Sequence, residues 1–355
     1  MKSIASAPGK IILFGEHFVV HGTKAILAAI DKRVTVTSTF TENKTIKVNS
    51  QLGIIEVPMS SSHEEVKSEF RPFVYLANKL INSHQDVNGL EITINSDIPI
   101  GVGLGSSSAC CVAAAASICG LFKELSSSGA SGCGKDTQKA VGDEKEEREK
   151  ISRMSSEAEE TIFPDTSGAD CKVCQYGGII EYHGHNGVIV FLSSARSVSY
   201  EISANLLIVN SMIQHSTKRS VEKVRKFKEN NEKRFSELCD LANQLIEHYD
   251  KLGKEIGVLV DMKNNDITAI GLKMTENQKY LEEIQVSNDT LRDMISSLKE
   301  ISLGTKITGA GDGGCIIALI KDEDMDKVPA LLPKDKEYFS AKIDTKGVVW
   351  STIEE

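Results

Sequence analysis

Asp97-Ile-Pro-Ile-Gly101-Val-Gly103-Leu104-Gly105-Ser106-Ser107-Ser108-Ala-Cys-Cys-Val-Ala-Ala-Ala-Ala-Ser-Ile-Cys-Gly-Leu-Phe122 is the stretch that decides how this chain folds. Just before it, residues 89–95 alternate apolar and polar, with Leu90, Ile92 and Ile94 on one side, as a strand does. After it runs an alanine-rich helix. Between the two lies a loop with Gly101, Gly103 and Gly105, followed at once by Ser106, Ser107 and Ser108. Glycines let backbone N–H groups turn toward a ligand with no side chain in the way. A helix N-terminus adds unpaired N–H groups and a partial positive charge. Hydroxyls at the helix start can cap it, bind phosphate or ligate Mg²⁺. Strand, glycine loop and helix together read as a polyphosphate cradle.

Residues 98–122 carry no charge, and that length could span a bilayer. The run is mostly Gly, Ala and Ser with one proline, which leaves too few large apolar groups for lipid. A buried helix is the expectation, and no membrane partner. The loop is also not a Walker A motif, because no Gly-Lys-Ser/Thr follows. A phosphate-binding lysine must come from elsewhere.

The chain has 355 residues, room for two domains of ordinary size, and 40% apolar content that can fill a real core. Its net charge of −9 and the lack of a basic stripe argue against a nucleic-acid partner. An anionic substrate therefore needs a local basic pocket. The eight cysteines are scattered. Cys171 and Cys174 form a lone C-x-x-C, and His183 and His185 do not complete a usual zinc spacing, so buried reduced thiols are expected. The first ten residues hold no hydrophobic signal region and the last three are no targeting tripeptide, so a cytoplasmic location is expected.

Residues 4–14 carry strand character broken at Ala7-Pro8-Gly9. Lys10 sits between that turn and the apolar run Ile11 to Phe14, and Gly15-Glu16-His17 ends it. Lys10 is either a solvated lysine or one aimed at phosphate or a reacting hydroxyl, with Glu16 and His17 reading a polar substrate. Residues 25–58 read as further strands, and 70–81 as a helix with Phe73, Leu76, Leu80 and Ile81 on one face. Residues 126–150 pass from a Ser/Gly-rich insertion into a charged helix. That helix continues with Ile151, Met154, Ala158 and Ile162 as its apolar stripe. Glu159 lies about 80° round the helix from Ile151 and about 60° from Ile162, on the shoulder of that face. It is either exposed or reaches into a cleft to hold a metal. Asp170 follows eleven residues later, across a turn, either as a turn cap or as a second carboxylate. Two carboxylates brought together near a polyphosphate suggest one metal ligand and one base. Residues 173–182 read as strand–turn–strand around Gly177-Gly178.

Residues 201–213 read as a strand. Helical spacing then dominates near 217–231, 233–252, 256–275 and 288–300, which suggests a second domain from about 196. Lys306-Ile-Thr-Gly309-Ala310-Gly311-Asp312-Gly-Gly-Cys315 precedes an apolar strand. Four glycines in the six positions 309–314 imply close backbone approach to something, or a tight structural turn. Residues 337–353 supply closing strands.

Three segments, 7–17, 99–108 and 306–315, resemble in wording, order and separation the three motifs of the GHMP small-molecule kinases. Within that superfamily, Lys10-Ile-Ile-Leu-Phe-Gly-Glu-His-Phe-Val-Val-His21 and Ser167-Gly-Ala-Asp170 followed by Gly177-Gly178 are similar to the mevalonate kinase branch. The resemblance covers essentially the whole chain. It implies an α/β (α+β) fold of two domains, a ribosomal-S5-like domain over 1–195 and a ferredoxin-like domain over 196–355, with the active site in the cleft between them. It implies ATP and Mg²⁺ as cofactors and mevalonate as the small-molecule partner, and a homodimer is common in the family. Backbone groups of the segment Gly101, Gly103, Leu104, Gly105, Ser106, Ser107, Ser108 would hold the ATP phosphates. Ser107 and Glu159 would ligate Mg²⁺. Asp170 would orient and deprotonate the acceptor hydroxyl, and Lys10 would stabilise the charge on the transferring group. Glu16, His17 and His21 would line the acceptor pocket, and Gly309, Ala310 and Gly311 would close over it.

Asp312 departs from the glycine usual in relatives. A carboxylate beside phosphates has to point away or meet a cation. Ser108 stands where alanine is usual, Cys171 where asparagine usually follows the aspartate, and Phe163-Pro-Asp-Thr166 replaces His-Gly-Asn-Pro. The alternatives are another small-molecule kinase of the superfamily, such as a phosphomevalonate kinase, whose extra phosphate would call on Lys218, Arg219 or Lys223, and an inactive sensor of the same fold.

Overall fold

The structure is a computed structural model that describes residues 1–82, 84, 86–128, 141–164, 166–184, 187, 189–191, 204–214, 217–255 and 264–353. Two sheets organise it. The first is built on a long hairpin-like pair, β1 (Lys2–Phe14) and β2 (Lys24–Phe40). It also takes β3 (Thr45–Ser50), β4 (Gly53–Pro58), β5 (Leu90–Ser96), β6 (Ile179–His183) and β7 (Ile189–Phe191). The last strand, β12 (Val349–Ile353), returns from the far end of the chain and pairs with β1. The order is β12-β1-β2-β5-β3-β4, and β6 pairs with the other half of β2. The break expected at Ala7-Pro8-Gly9 is a register shift within one continuous strand: Pro8 opposes Arg33, and Gly9 opposes Ile30.

β2 shows why its sequence changes character. Residues 25–30 are all buried, whereas 34–38 alternate buried and half-buried. The first half is covered on both faces and the second on one. The covering element is α2 (Ser106–Ser128). Its window Ser106–Lys123 is long and apolar enough to cross a membrane, yet 78% of it is buried inside the protein. A helix apolar all round is a core helix here. Ser117 ties it down, its hydroxyl donating to the Ser3 carbonyl at 2.9 Å. α1 (Arg71–Ile81) and α3 (Val141–Glu160) pack alongside.

The segment expected as strand–turn–strand is instead a helix, α4 (Ala169–Tyr176), followed by β6. Gly168 opens it in the left-handed region (φ 71°), and Gly177 (φ 72°) closes it with its N–H on the Val173 carbonyl. The buried Cys171 and Cys174 are three residues apart, as on one face of a helix. Asp170 therefore sits in the first turn of a helix rather than in a loop.

The second sheet has the order β11-β8-β10-β9, all antiparallel, from β8 (Ala204–Asn210), β9 (Ser302–Thr308), β10 (Cys315–Lys321) and β11 (Glu337–Ala341). Around it lie α5 (Thr217–Asn230), α6 (Glu232–Glu255), α7 (Asn264–Glu283) and α8 (Asp289–Leu298). The run Ile316 to Ile320 is unbroken apolar because it serves two cores. Ile316, Ala318 and Ile320 pack with the helices around Leu238, Leu281 and Leu291, while Cys315, Ile317 and Leu319 join the core of the first sheet. The expected boundary at 195/196, the 129–140 part of the insertion expected over 126–150 and the 256–263 part of the expected third helix lie outside the described residues; 126–128 extend α2 and 141–150 begin α3.

Candidate active site

Lys10, on the bulged part of β1, is held from two directions. Its backbone N–H donates to the Leu104 carbonyl at 2.9 Å, and its Nζ lies 2.9 Å from Asp170 Oδ2. The glycine loop closes over its stem. A Cβ on Gly105, which has φ 71°, would stand 2.6 Å from Lys10 Cγ, so only glycine fits. Lys10 is 5% exposed and Asp170 36%, so the lysine is fixed and the carboxylate is the reachable member. With Oδ2 on the ammonium, Oδ1 is the oxygen free to meet a hydroxyl.

Glu159 is 3% exposed, deeper than the shoulder position implies. The Ser108 hydroxyl donates to its Oε1, and the Thr166 hydroxyl to its Oε2 at 2.9 Å. Of the serines that open α2, it is Ser108 whose hydroxyl meets Glu159. Ser107 lines a neighbouring cavity. Burial, and then the charge of Asp170, push the Glu159 carboxyl above its ordinary value. Glu159 and Asp170 are therefore close enough to repel. A cation between or beside them would relieve that. Their oxygens and the adjacent hydroxyls are hard donors of the kind Mg²⁺ takes, and Mg²⁺ needs only one or two carboxylates when phosphates and water supply the rest. The residues fit the ion.

Glu16 is 1% exposed and receives a hydrogen bond from Nζ of Lys306, itself 0% exposed. It sits in a buried ion pair and not on an open wall. His17, with φ 62°, has Nε2 2.9 Å from the Ala310 carbonyl. Burial lowers its pKa to about 4, so near neutral pH it is an uncharged imidazole that donates that bond. His21 takes a hydrogen bond from Lys228 Nζ at 3.3 Å, and its ring meets Phe235 edge-on. His17 and His21 share a cavity of about 530 Å³ with Val221 and Lys228. The glycine loops also meet: a Cβ on Gly309 would lie 3.4 Å from the Gly103 carbonyl. The three sequence motifs thus meet: the second packs on Lys10 of the first, and the third touches Gly103 of the second and Glu16 and His17 of the first.

Asp312 meets its cations. Its φ is 59°, its side chain is 8% exposed, and it lies 2.6 Å from Lys223 Nζ and 3.9 Å from Arg219 Nε, both on α5. Of the three basic residues that could have marked a second acceptor phosphate, Arg219 and Lys223 face Asp312 instead. Lys223→Ala leaves this carboxylate poorly compensated next to the loops that face phosphate. It should raise KM for ATP roughly fivefold, the scale of one partly screened charge contact. Asp312→Gly in the same background should bring it back, and steady-state kinetics on the two variants checks this.

Sequence reasoning missed Thr166, Lys306 and the pairing of Lys223 with Asp312. Thr166 lay in the wording that departs from relatives, and Lys306 in a quoted motif whose glycines drew the attention. A second cavity of about 260 Å³ opens beside Gly101, Ser106 and Ser107, with Leu52, Phe73, Ile100, Cys110 and Ile162 among its walls. It is apolar, and it adjoins the start of the glycine loop.

The family models for the GHMP kinases N terminal domain and for GHMP kinases C terminal match residues 72–178 and 258–330. The chain belongs to the GHMP kinase family, and is an ATP-dependent small-molecule kinase. Its full-length relatives are named more narrowly. The mevalonate kinase of Thermococcus onnurineus is 30% identical, with 98% of this chain and 98% of that one aligned. That of Pyrococcus furiosus is 31% identical over 93% of each. The crystal structure of the Methanococcus jannaschii mevalonate kinase superposes with a TM-score of 0.72 at 23% identity, covering 96% of this chain and 98% of that one.

Proposed function

We propose that the protein is a mevalonate kinase, moving the γ-phosphoryl group of ATP to the C5 hydroxyl of mevalonate with Mg²⁺. The observation that carries the reading is the Lys10–Asp170 pair lying under the glycine loop, with Glu159 behind it. Phosphoryl transfer asks mainly for positioning and charge stabilisation. The N–H groups around Gly103 to Ser107 bind the phosphates at the start of α2. The apolar 260 Å³ cavity next to them suits a flat purine. Asp170 orients the acceptor hydroxyl and takes its proton at Oδ1. Lys10 stays on the other oxygen, where its charge offsets that developing on the attacking and transferring groups. Glu159 is the residue to hold Mg²⁺, with Ser107 facing the phosphates; bound there, the ion would neutralise phosphate charge. The cavity shared by His17 and His21 is the acceptor side, where neutral His17 offers no competing charge.

The direct test is ATP consumption with Mg²⁺ and mevalonate, phosphomevalonate, galactose or homoserine in turn. Turnover with mevalonate alone is expected. Turnover with another acceptor would keep the phosphate machinery and reassign the acceptor pocket.

A further inference from the structure

We infer that Lys306 is a positioning residue for phosphoryl transfer, fixing the Gly15-Glu16-His17 turn against the third glycine loop; this rests on the kinase reading of the Lys10–Asp170 centre. β9 reaches the site with alternate residues on one side. Lys306 meets Glu16, the Thr308 hydroxyl both accepts from Ile12 N–H at 2.9 Å and donates to the Ile12 carbonyl at 3.2 Å, and the Ala310 carbonyl accepts from His17. Lys306 and Thr308 share one side of β9, and the chain bends at Gly309 (φ 82°) before presenting the Ala310 carbonyl, so β9 and the loop after it stitch the end of β1 in three places. The turn they hold is unusual. Gly15 has φ 96° and His17 has φ 62°, the latter uncommon for a side-chain-bearing residue. Such backbone persists only when its surroundings over-determine it.

Lys306 is the one of the three contacts that brings charge. Its Nζ is also 2.6 Å from the Ile307 carbonyl, and the Ile307 N–H is held by Gln278 Oε1 at 2.9 Å, so the lysine itself is well fixed. Lys306 bonds Glu16 Oε1, and Oε2 is buried with no hydrogen-bond partner among the described residues. Removing Lys306 would leave this buried carboxylate without its hydrogen-bonded charge partner. Glu16 also lies within electrostatic reach of Lys10. The charges therefore alternate, Lys306, Glu16, Lys10, Asp170, from the floor of the second sheet to the reacting centre. A purely structural pair could be exchanged for apolar or neutral groups of similar size with little loss. A pair that sets the turn under Lys10 and His17 cannot.

The test compares Lys306→Met, Lys306→Arg and the double variant Glu16→Gln/Lys306→Met with the unaltered protein, following Tm, kcat and both KM values. The unaltered protein is assayed first, with whichever acceptor it turns over. If it turns over none, the kinase reading falls independently of the variants. Lys306→Met is expected to lose Tm and to lower kcat at least tenfold. The double variant removes the buried charge and should regain most of the Tm while kcat stays at least tenfold low and KM for ATP changes less than twofold. Lys306→Arg, which keeps the charge, should recover part of kcat. If kcat returns together with Tm in the double variant, or if Lys306→Met keeps full kcat, the pair is structural only and the inference is wrong.

Discussion

Asp170→Asn will lower kcat by about 10²- to 10⁴-fold, the usual range for losing a positioned general base. The change is nearly isosteric, and on this reading the phosphates are held by backbone N–H groups of the glycine loop and not by Asp170 in the first turn of α4, so KM for ATP should move less than about twofold. An amide can still orient the hydroxyl but cannot take its proton. It also no longer neutralises Lys10, 2.9 Å away and 5% exposed, which leaves a buried ammonium without its partner. Initial rates with mevalonate and ATP, set against nucleotide binding by calorimetry, check this. Loss of rate together with loss of nucleotide binding would point to a disrupted loop instead and count against the base assignment.

The second large effect is expected at Glu159, where activity and stability should separate. Burial first, and then Asp170, raise its carboxyl above the ordinary 4.5. A carboxyl raised by folding contributes stability that is fully present below its unfolded pKa and is lost as pH rises through the folded one. Ionising Glu159 as pH rises therefore costs stability in the protein without nucleotide and metal. Glu159→Gln removes that cost, keeping an acceptor for Ser108 and offering an amide to Thr166. It should raise Tm at pH 7.5 by about 1–3 °C, from roughly 1 kcal/mol of relieved desolvation, and by less near pH 4. If Glu159 holds Mg²⁺ as proposed, the same change should cut kcat about 10²- to 10³-fold and weaken Mg²⁺ dependence, because that charge is gone. In the unaltered protein the acid side of the rate profile should fall above pH 4.5, where Glu159 takes up its proton. A Glu159→Gln variant with unchanged kcat and unchanged Mg²⁺ response would remove Glu159 from the metal site. Thermal melts at the two pH values, with Mg²⁺ titrations of the rate, read all of this.

The fold keeps two carboxylates close enough to repel, one buried and one half-exposed, a cost of the kind retained at functional sites.

Much of this was legible in the order of residues along the chain. The strand–glycine loop–helix at 89–122 is local: alternation, positive-φ glycines and helical spacing are each decided within a few residues, and they read correctly. The same holds for the apolar run after the third glycine loop. The roles of Lys10, Glu159 and Asp170 as a group came from the resemblance of three motifs, since no local rule brings position 10 to position 170. What the sequence could not show was pairing between distant side chains. Residues 173–176 read as strand because a short run with two flanking glycines is ambiguous between strand and helix. Gly168 in the left-handed region and burial against α2 and β1 settled it as helix. Ser107 and Ser108 are adjacent in the chain, and only the direction of α2 decided which of them meets Glu159. The Lys306–Glu16 and Lys223–Asp312 pairs join residues 290 and 89 positions apart. A charge in a sequence carries its sign but not its partner; the partner is chosen by which strands and helices pack face to face, and that is decided by burial over the whole chain.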